Sequence, residues 1–278
     1  MISGWRMTVN LNTSAQQASF SRNSIQNDPT QNFERIGSGS RINSAADDAA
    51  GLSISTRFNA SISGDQQAIR NSNDAISLVQ TAEGGVSSVK DDLLRIRELS
   101  VQSANGTLSD TDRQGLQAEV DQLVENISNT IQTSNFNGQS LLNNNSDLQF
   151  QIGGDASDQL VVERNNLQQS LEDLGLNDID ISTQAGAVSA IDVADDALDV
   201  TNETAANLGA NQNRLESSIN NLSTSVINES AANSRVADAD LAKEISDLAA
   251  KLVKEQARTS VRSLSNDNMK LVLRLFEG

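Results

Sequence analysis

The side chains that most often carry catalysis are missing from this chain, which has no His and no Cys in 278 residues. That excludes imidazole acid–base pairs, thiolate nucleophiles, disulfides and most zinc or haem sites. What remains for chemistry is carboxylate, ammonium and guanidinium. Asp155 and Asp158 could open a calcium loop, but no carboxylate array with calcium-loop spacing follows, and the pair fits a hairpin turn better. Asp195, Asp196 and Asp199 read most simply as a solvated helix face. Gly37-Ser38-Gly39-Ser40 lacks the Gly-Lys-Ser/Thr of a phosphate loop and reads as a flexible joint. Triplets such as Asn105-Gly106-Thr107 match a glycosylation acceptor only as often as chance allows in so Asn- and Ser-rich a chain. An enzyme built on Asp, Glu or Lys alone would pair carboxylates in an apolar pocket, and no such pairing stands out. The expectation is no catalytic residue, no metal ligand and no cofactor.

Charge and composition narrow the partners. The formal net charge of −17 argues against nucleic acid. Residues 140–235 hold fifteen acidic side chains against three basic, whereas residues 241–278 hold five against seven. A solvated acidic surface explains the middle; a near-neutral tail could be buried among copies of the same chain. Aromatics are 3% and Pro occurs once, so a thick core is poorly supplied and long helices are seldom interrupted. No apolar run approaches the roughly 20 residues of a membrane span. Met1–Thr8 lacks the pattern of a cleaved secretory signal, so an exported chain is expected to keep its N-terminus.

The elements that must position anything are helices with seven-residue apolar rows. Ile62, Ile69 and Ile76 form one row, and Val79, Val86 and Leu93 continue it in a shifted register. Leu208, Leu215 and Leu222 form another, with Leu241, Ile245, Leu248 and Leu252 following by steps of four, three and four. Such a narrow seam is buried only against another helix, so the two ends are expected to pair. Helical pattern begins at Ala45, is clearest over 60–105 (about 70 Å at 1.5 Å per residue), and resumes near Ala190 with a joint around Ser234. Asn105-Gly106 stops one helix, Ser109 with Asp110 and Asp112 starts the next, and Asn137-Gly138 ends it. That second helix carries Leu116, Val120, Leu123, Ile127 and Ile131 on one face. Period two over Leu148, Phe150 and Ile152, a Gly153-Gly154-Asp155 turn and Leu160-Val161-Val162 predict a β-hairpin near 147–163. Asp28-Pro29-Thr30 reads as a break or a helix start.

Arg41-Ile42-Asn43-Ser44-Ala45-Ala46-Asp47-Asp48-Ala49-Ala50-Gly51-Leu52 resembles the N-terminal signature of bacterial flagellins, and residues 95–106 (RIRELSVQSANG) are similar to the next block of that family. Asn135-Phe136-Asn137-Gly138 and Leu148–Ile152 resemble the elements after it. Residues 209–216 (GANQNRLE) and 234–240 (SRVADAD) resemble the C-terminal blocks, in family order. Six residues precede Met7, where the family pattern begins.

The resemblance implies a mainly α fold: long antiparallel helices form a coiled-coil terminal domain and a helical rod domain with a small β-hairpin. The terminal domain would comprise residues 1–44 and 235–278 and the rod 45–234, with no variable outer domain. It implies a non-enzymatic flagellar filament subunit that self-assembles for swimming, lies outside the cell, and is exported unfolded through the flagellar type III channel. Implied partners are copies of itself, an export chaperone, and hook-associated junction and cap proteins, with no nucleic acid and no membrane. In many flagellins one rod surface is recognised by Toll-like receptor 5, and the matching positions are Arg95, Leu99 and Glu119, with Leu94 where Gln is usual. The same three suit ordinary packing: Arg95 and Glu119 as rod or subunit contacts, Leu99 as core. The alternative is a hook–filament junction protein or a secreted helical ligand; junction proteins would share the terminal pattern but match the rod motifs less continuously.

Overall fold

The computed structural model describes residues 30–277. Its helices are α1 (residues 30–38), α2 (Ala49–Ser103), α3 (Asp110–Thr133), α4 (Leu167–Asp173), α5 (Gln184–Ala237) and α6 (Leu241–Glu277). The strands are β1 (Asn135–Phe136), β2 (Gln139–Ser140), β3 (Leu148–Gln151) and β4 (Gln159–Val162), and a 3-10 turn covers Leu176–Asp178. The chain divides into two compact units, one of residues Ala60–Glu229 and one formed by Met1–Asn59 with Ser230–Gly278. Both dividing lines fall inside a long helix, α2 or α5. The Asp28-Pro29 break lies outside the described residues.

In the 60–229 unit, α2 and α5 pack antiparallel: Arg97 meets Asp195, and Ser61 meets Glu229. Two interleaved seven-residue rows of α2 are buried, Ser72, Val79, Val86, Leu93 and Ser100 beside Ala68, Ala75, Ala82, Val89, Ile96 and Ser103. Rows four and three apart make a coiled-coil seam. On α5 the row of Leu208 and Leu215 runs back through Thr201, Ala194 and Ala187. The row Ile62, Ile69 and Ile76 is only half-buried, at the edge of this seam, and Leu222 is half-buried too. Small residues let the helices approach, so in this stretch Ala and Ser occupy the centre and the seven-residue Ile row lies at the flank. The buried hydroxyls cost little because they bond nearby carbonyls, Ser72 to Ala68 and Ser100 to Ile96 at 2.8 Å, and Thr201 to Ala197 at 2.7 Å.

Helix α3 begins where its sequence says it should. Ser109 accepts from the Asp112 amide while Asp112 reaches back to Ser109, closing a capping box. Val120, Ile127 and Ile131 are buried against the α2–α5 seam, with Leu116 and Leu123 partly so. The helix ends at Thr133, not at Asn137-Gly138. Those two residues have φ of 50° and 78° and form the turn of a second hairpin, β1–β2. An Asn-Gly pair supplies both helix stops and two-residue hairpin turns, because both need positive φ.

The expected β3–β4 hairpin pairs Leu148 with Val162 and Phe150 with Leu160. Asn71 donates to the Gln151 carbonyl at 3.1 Å and Ser218 to the Ile152 carbonyl at 3.2 Å, so α2 and α5 both hold it. Leu167, Leu171, Leu176 and Ile181 of the next segment complete the core. The pattern expected from Ala190 starts at Gln184, and the one expected from Ala45 starts at Ala49.

Candidate assembly surfaces

On the rod unit, α2 and α3 bring Arg95 and Glu119 together although 24 residues separate them. The guanidinium donates from Nε at 2.8 Å and Nη2 at 2.7 Å to Glu119 Oε1, and from Nη1 at 2.6 Å to Glu98 Oε2. These bonds, Glu119 first and Glu98 second, push its pKa above the ordinary arginine value. All three charged groups remain open to solvent. Leu99 is fully enclosed beneath them, beside Leu93, Ile96 and Val120 in the core, whereas the neighbouring Leu94 is 47% exposed. Of the three candidate receptor contacts, two are therefore on the surface and one is in the packing below it. Asp195 is not merely solvated: its carboxylate takes Arg97 Nε at 2.5 Å across the α2–α5 pair. That partner lay beyond sequence reading because 98 residues separate the two.

In the terminal unit, the RINSAADDAAGL block builds a rigid corner. Arg41 donates from its backbone to the Ala237 carbonyl at 2.6 Å and from Nη2 to the Val236 carbonyl at 2.5 Å. Ser40 and Asp238 form an isolated antiparallel bridge, and the Ala239 amide donates to Gly39 at 2.9 Å. The expected flexible joint is thus pinned at Gly39 and Ser40, with Gly37 and Ser38 still helical. Its counterpart is at Asp238–Asp240, four residues beyond Ser234, which lies within α5 and hydrogen-bonds Asp238. Asp47 Oδ2 accepts from the Asn43 and Ser44 amides and the Ser44 hydroxyl. Those bonds, the Ser44 amide first, hold its carboxyl below the usual carboxylate range. Asp48 accepts from the Gly51 amide at 2.8 Å at the start of α2. A Cβ on Gly51 would come within 2.5 Å of the ends of the Asp48 and Ile42 side chains, so a larger residue there requires both to shift.

Beyond the corner, α1 meets α6 through polar groups. Asn32 Nδ2 donates to Glu244 Oε2 at 2.5 Å, Arg35 Nη1 approaches Glu244 Oε1 at 3.4 Å, and Lys251 Nζ donates to Asn32 Oδ1 at 2.8 Å. The apolar row behaves differently from the rest of the seam. Val79, Val86, Leu93, Leu208 and Leu215 are buried, but Leu241, Ile245 and Leu252 are 45–54% exposed and Leu248 is half-buried. Val253, Val261 and Leu264 add further exposed apolar surface on α6. Among the described residues of α1, Asn32 and Arg35 take the contact with α6 through Glu244 and Lys251, and the expected pairing of this row with residues 1–29 lies outside the described residues.

The surface depressions are shallow and open, one lined by Asn145, Glu163, Arg164 and Asp173, another by Ile152, Asp158, Ser218 and Leu222. Asp158 serves the hairpin turn, its carbonyl taking the Ile152 amide at 2.9 Å. Among the described residues no three His, Cys, Asp or Glu side chains are grouped as a metal ion requires, and no helix is long and apolar enough to cross a membrane.

Comparison with known proteins gives a consistent answer. Residues 9–147 match the bacterial flagellin N-terminal helical region and residues 191–276 the bacterial flagellin C-terminal helical region. A flagellin of Halalkalibacterium halodurans is 41% identical over 220 residues, covering 79% of this chain and 81% of the relative. A flagellin of Bacillus subtilis is 36% identical over 260 residues, with 79% and 83% covered. A Salmonella berta flagellin is 34% identical over 208 residues, covering 75% of this chain but only 40% of the longer relative. Among solved structures, a Bacillus cereus flagellin crystal structure is 30% identical with a TM-score of 0.51, covering 55% of this chain and 88% of that one. A Vibrio parahaemolyticus protein described as flagellar hook-associated is 15% identical with a TM-score of 0.58, covering 69% and 100%, a likeness of fold alone.

Proposed function

Because the chain belongs to the bacterial flagellin family, we propose that it is a structural subunit that polymerises with copies of itself into the flagellar filament used for swimming. The observation that supports this best is the contrast between its two units. The 60–229 unit closes its seam internally, while α6 leaves Leu241, Ile245, Leu252 and Val253 uncovered. At about 25 cal/mol per Å² of apolar surface, covering such a row repeatedly along a polymer is a large driving force. Neighbouring copies are the occupants that supply the same row each time.

The finer parts of the proposal follow from family membership. The filament is outside the cell, the chain performs no catalysis, and the short stretch between the two matched regions carries no variable outer domain. The chain leaves through the flagellar type III channel unfolded, held beforehand by a chaperone over α6, and meets junction and cap proteins on the filament. The exposed Arg95–Glu119 pair is the part of the rod surface available to Toll-like receptor 5, with Leu99 supporting it from below.

The test is seeded elongation: purified chain with short filament fragments, viewed by negative-stain electron microscopy. Long uniform filaments are expected. Seeds that stay short while the chain remains folded would refute the filament role and favour a junction protein, whose fold is shared at low identity.

A further inference from the structure

The contact between α1 and α6 inverts the usual arrangement of paired helices. Buried between them are an amide and a carboxylate, Asn32 at 4% exposure and Glu244 at 8%, while Leu241, Ile245 and Leu252 of α6 are exposed. Arg35 and Lys251 complete the cluster, and Arg35 Nε is buried with no hydrogen-bond partner. A buried polar network with an unpaired donor is a poor way to add stability. It is a good way to choose one arrangement, because apolar contacts tolerate sliding and rotation whereas a displaced amide or carboxylate is left unpaired. The spacing sharpens the choice. Glu244 and Lys251 are one heptad apart, so a seven-residue slip of α6 would put the Lys251 ammonium where Glu244 sits, against the Arg35 guanidinium.

We propose that the Asn32–Glu244 contact, with Arg35 and Lys251 at its rim, is a register lock. It holds α1 and α6 in one antiparallel register and one rotation, and thereby aims the apolar row of Leu241, Ile245 and Leu252 toward neighbouring copies. The polar face selects the intrachain pairing; the apolar face supplies the cohesion between chains. This deepens the filament reading and rests on it for the role given to the apolar row.

The experiment compares the full wild-type chain with Glu244→Leu and with Asn32→Leu/Glu244→Leu. Two quantities are read: hydrogen exchange of the amides of residues 30–38 in the polymer, and lattice uniformity of seeded filaments by electron microscopy. Glu244→Leu leaves Asn32 without its acceptor, and protection over residues 30–38 is expected to fall at least about tenfold. The double variant replaces both partners with apolar groups, so protection returns to within about threefold of wild type. Its filaments are nevertheless expected to lose their single lattice, since sliding no longer leaves a polar group unpaired. Double-variant filaments with the wild-type lattice would overturn the lock, because a merely structural contact predicts recovery of both readouts. A wild-type chain that fails to elongate would refute the filament reading instead. The lock is then judged by the same exchange measurement on the lone chains, and unchanged protection in Glu244→Leu would overturn it.

Discussion

Replacing Leu99 by Ala separates two roles that sequence leaves superposed, a contact for an outside partner and a packing residue. Leu99 is 0% exposed and belongs to the cluster with Leu93, Ile96 and Val120. Truncating so enclosed a leucine costs about 2–5 kcal/mol in lost transfer energy and cavity. For a unit of 150–250 residues each kcal/mol moves the midpoint about 2–4 °C, so the unit's melting temperature should fall by about 4–20 °C. Leu94 on the same helix is 47% exposed, and Leu94→Ala should stay within about 0.5 kcal/mol, a shift below about 2 °C. Scanning calorimetry of the full chain resolves the rod transition and compares the two variants directly. Equal shifts, or a larger one for Leu94→Ala, would refute the placement of Leu99 in the core. If the placement holds, receptor binding lost on Leu99→Ala reflects the surface pair above it, and Arg95→Ala should reproduce the loss without the fall in melting temperature.

Three further outcomes test other parts of the molecule. The Asp47 carboxyl is held below its ordinary value, so its bonds stabilise the corner at pH above the usual carboxylate range and are lost as pH falls through the lowered value. Limited pepsin digestion should therefore leave residues 41–52 resistant near about pH 5 and expose them in strong acid, whereas Asp47→Asn should be cut at both. Gly138 has φ of 78°, where a Cβ is strained, so Gly138→Ala should cost roughly 1–2 kcal/mol and lower the rod melting temperature. Ser109→Ala removes one half of the α3 capping box and should cost about 1 kcal/mol, read in the same melts.

The long helices were legible because their rows repeat over many turns, and Ser109 announced α3 through its side chain. Spacing alone does not say which row holds the centre. Ile62, Ile69 and Ile76 are the largest apolar residues of their stretch, yet Ala68, Ala75 and Ala82 hold the centre, because two helices close on the smallest row that lets their backbones meet. Asn137-Gly138 was ambiguous in kind, since the same two residues end a helix or turn a hairpin, and only pairing of Asn135 with Ser140 decides. The sequence points to a joint around Ser234; it lies a turn later, at Asp238–Asp240, where Asp238 bridges Ser40 from nearly 200 residues away. Of the candidate contacts, the packing reading of Leu99 as core and of Arg95 and Glu119 as surface groups agrees with their depths, whereas the bond between Arg95 and Glu119, 24 residues apart, was not visible in the letters.

The corner joining Gly39–Arg41 to Val236–Ala239 makes the terminal unit a discontinuous one, assembled from residues 195 or more positions apart with the whole 60–229 unit between them. In time, this means the two units cannot mature together. The middle is continuous in sequence and can fold as soon as it emerges, whereas Gly39–Arg41 meet Val236–Ala239 only when the last fifty residues arrive. Loop closure over such a distance is slow unless something holds the ends together first. A folded middle shortens the loop that remains to be closed, because it brings Ser61 to within 3.0 Å of Glu229. A chain threaded N-terminus first would therefore close the corner at Gly39–Arg41 last, and its slowest folding step should speed up when the 60–229 unit is stabilised.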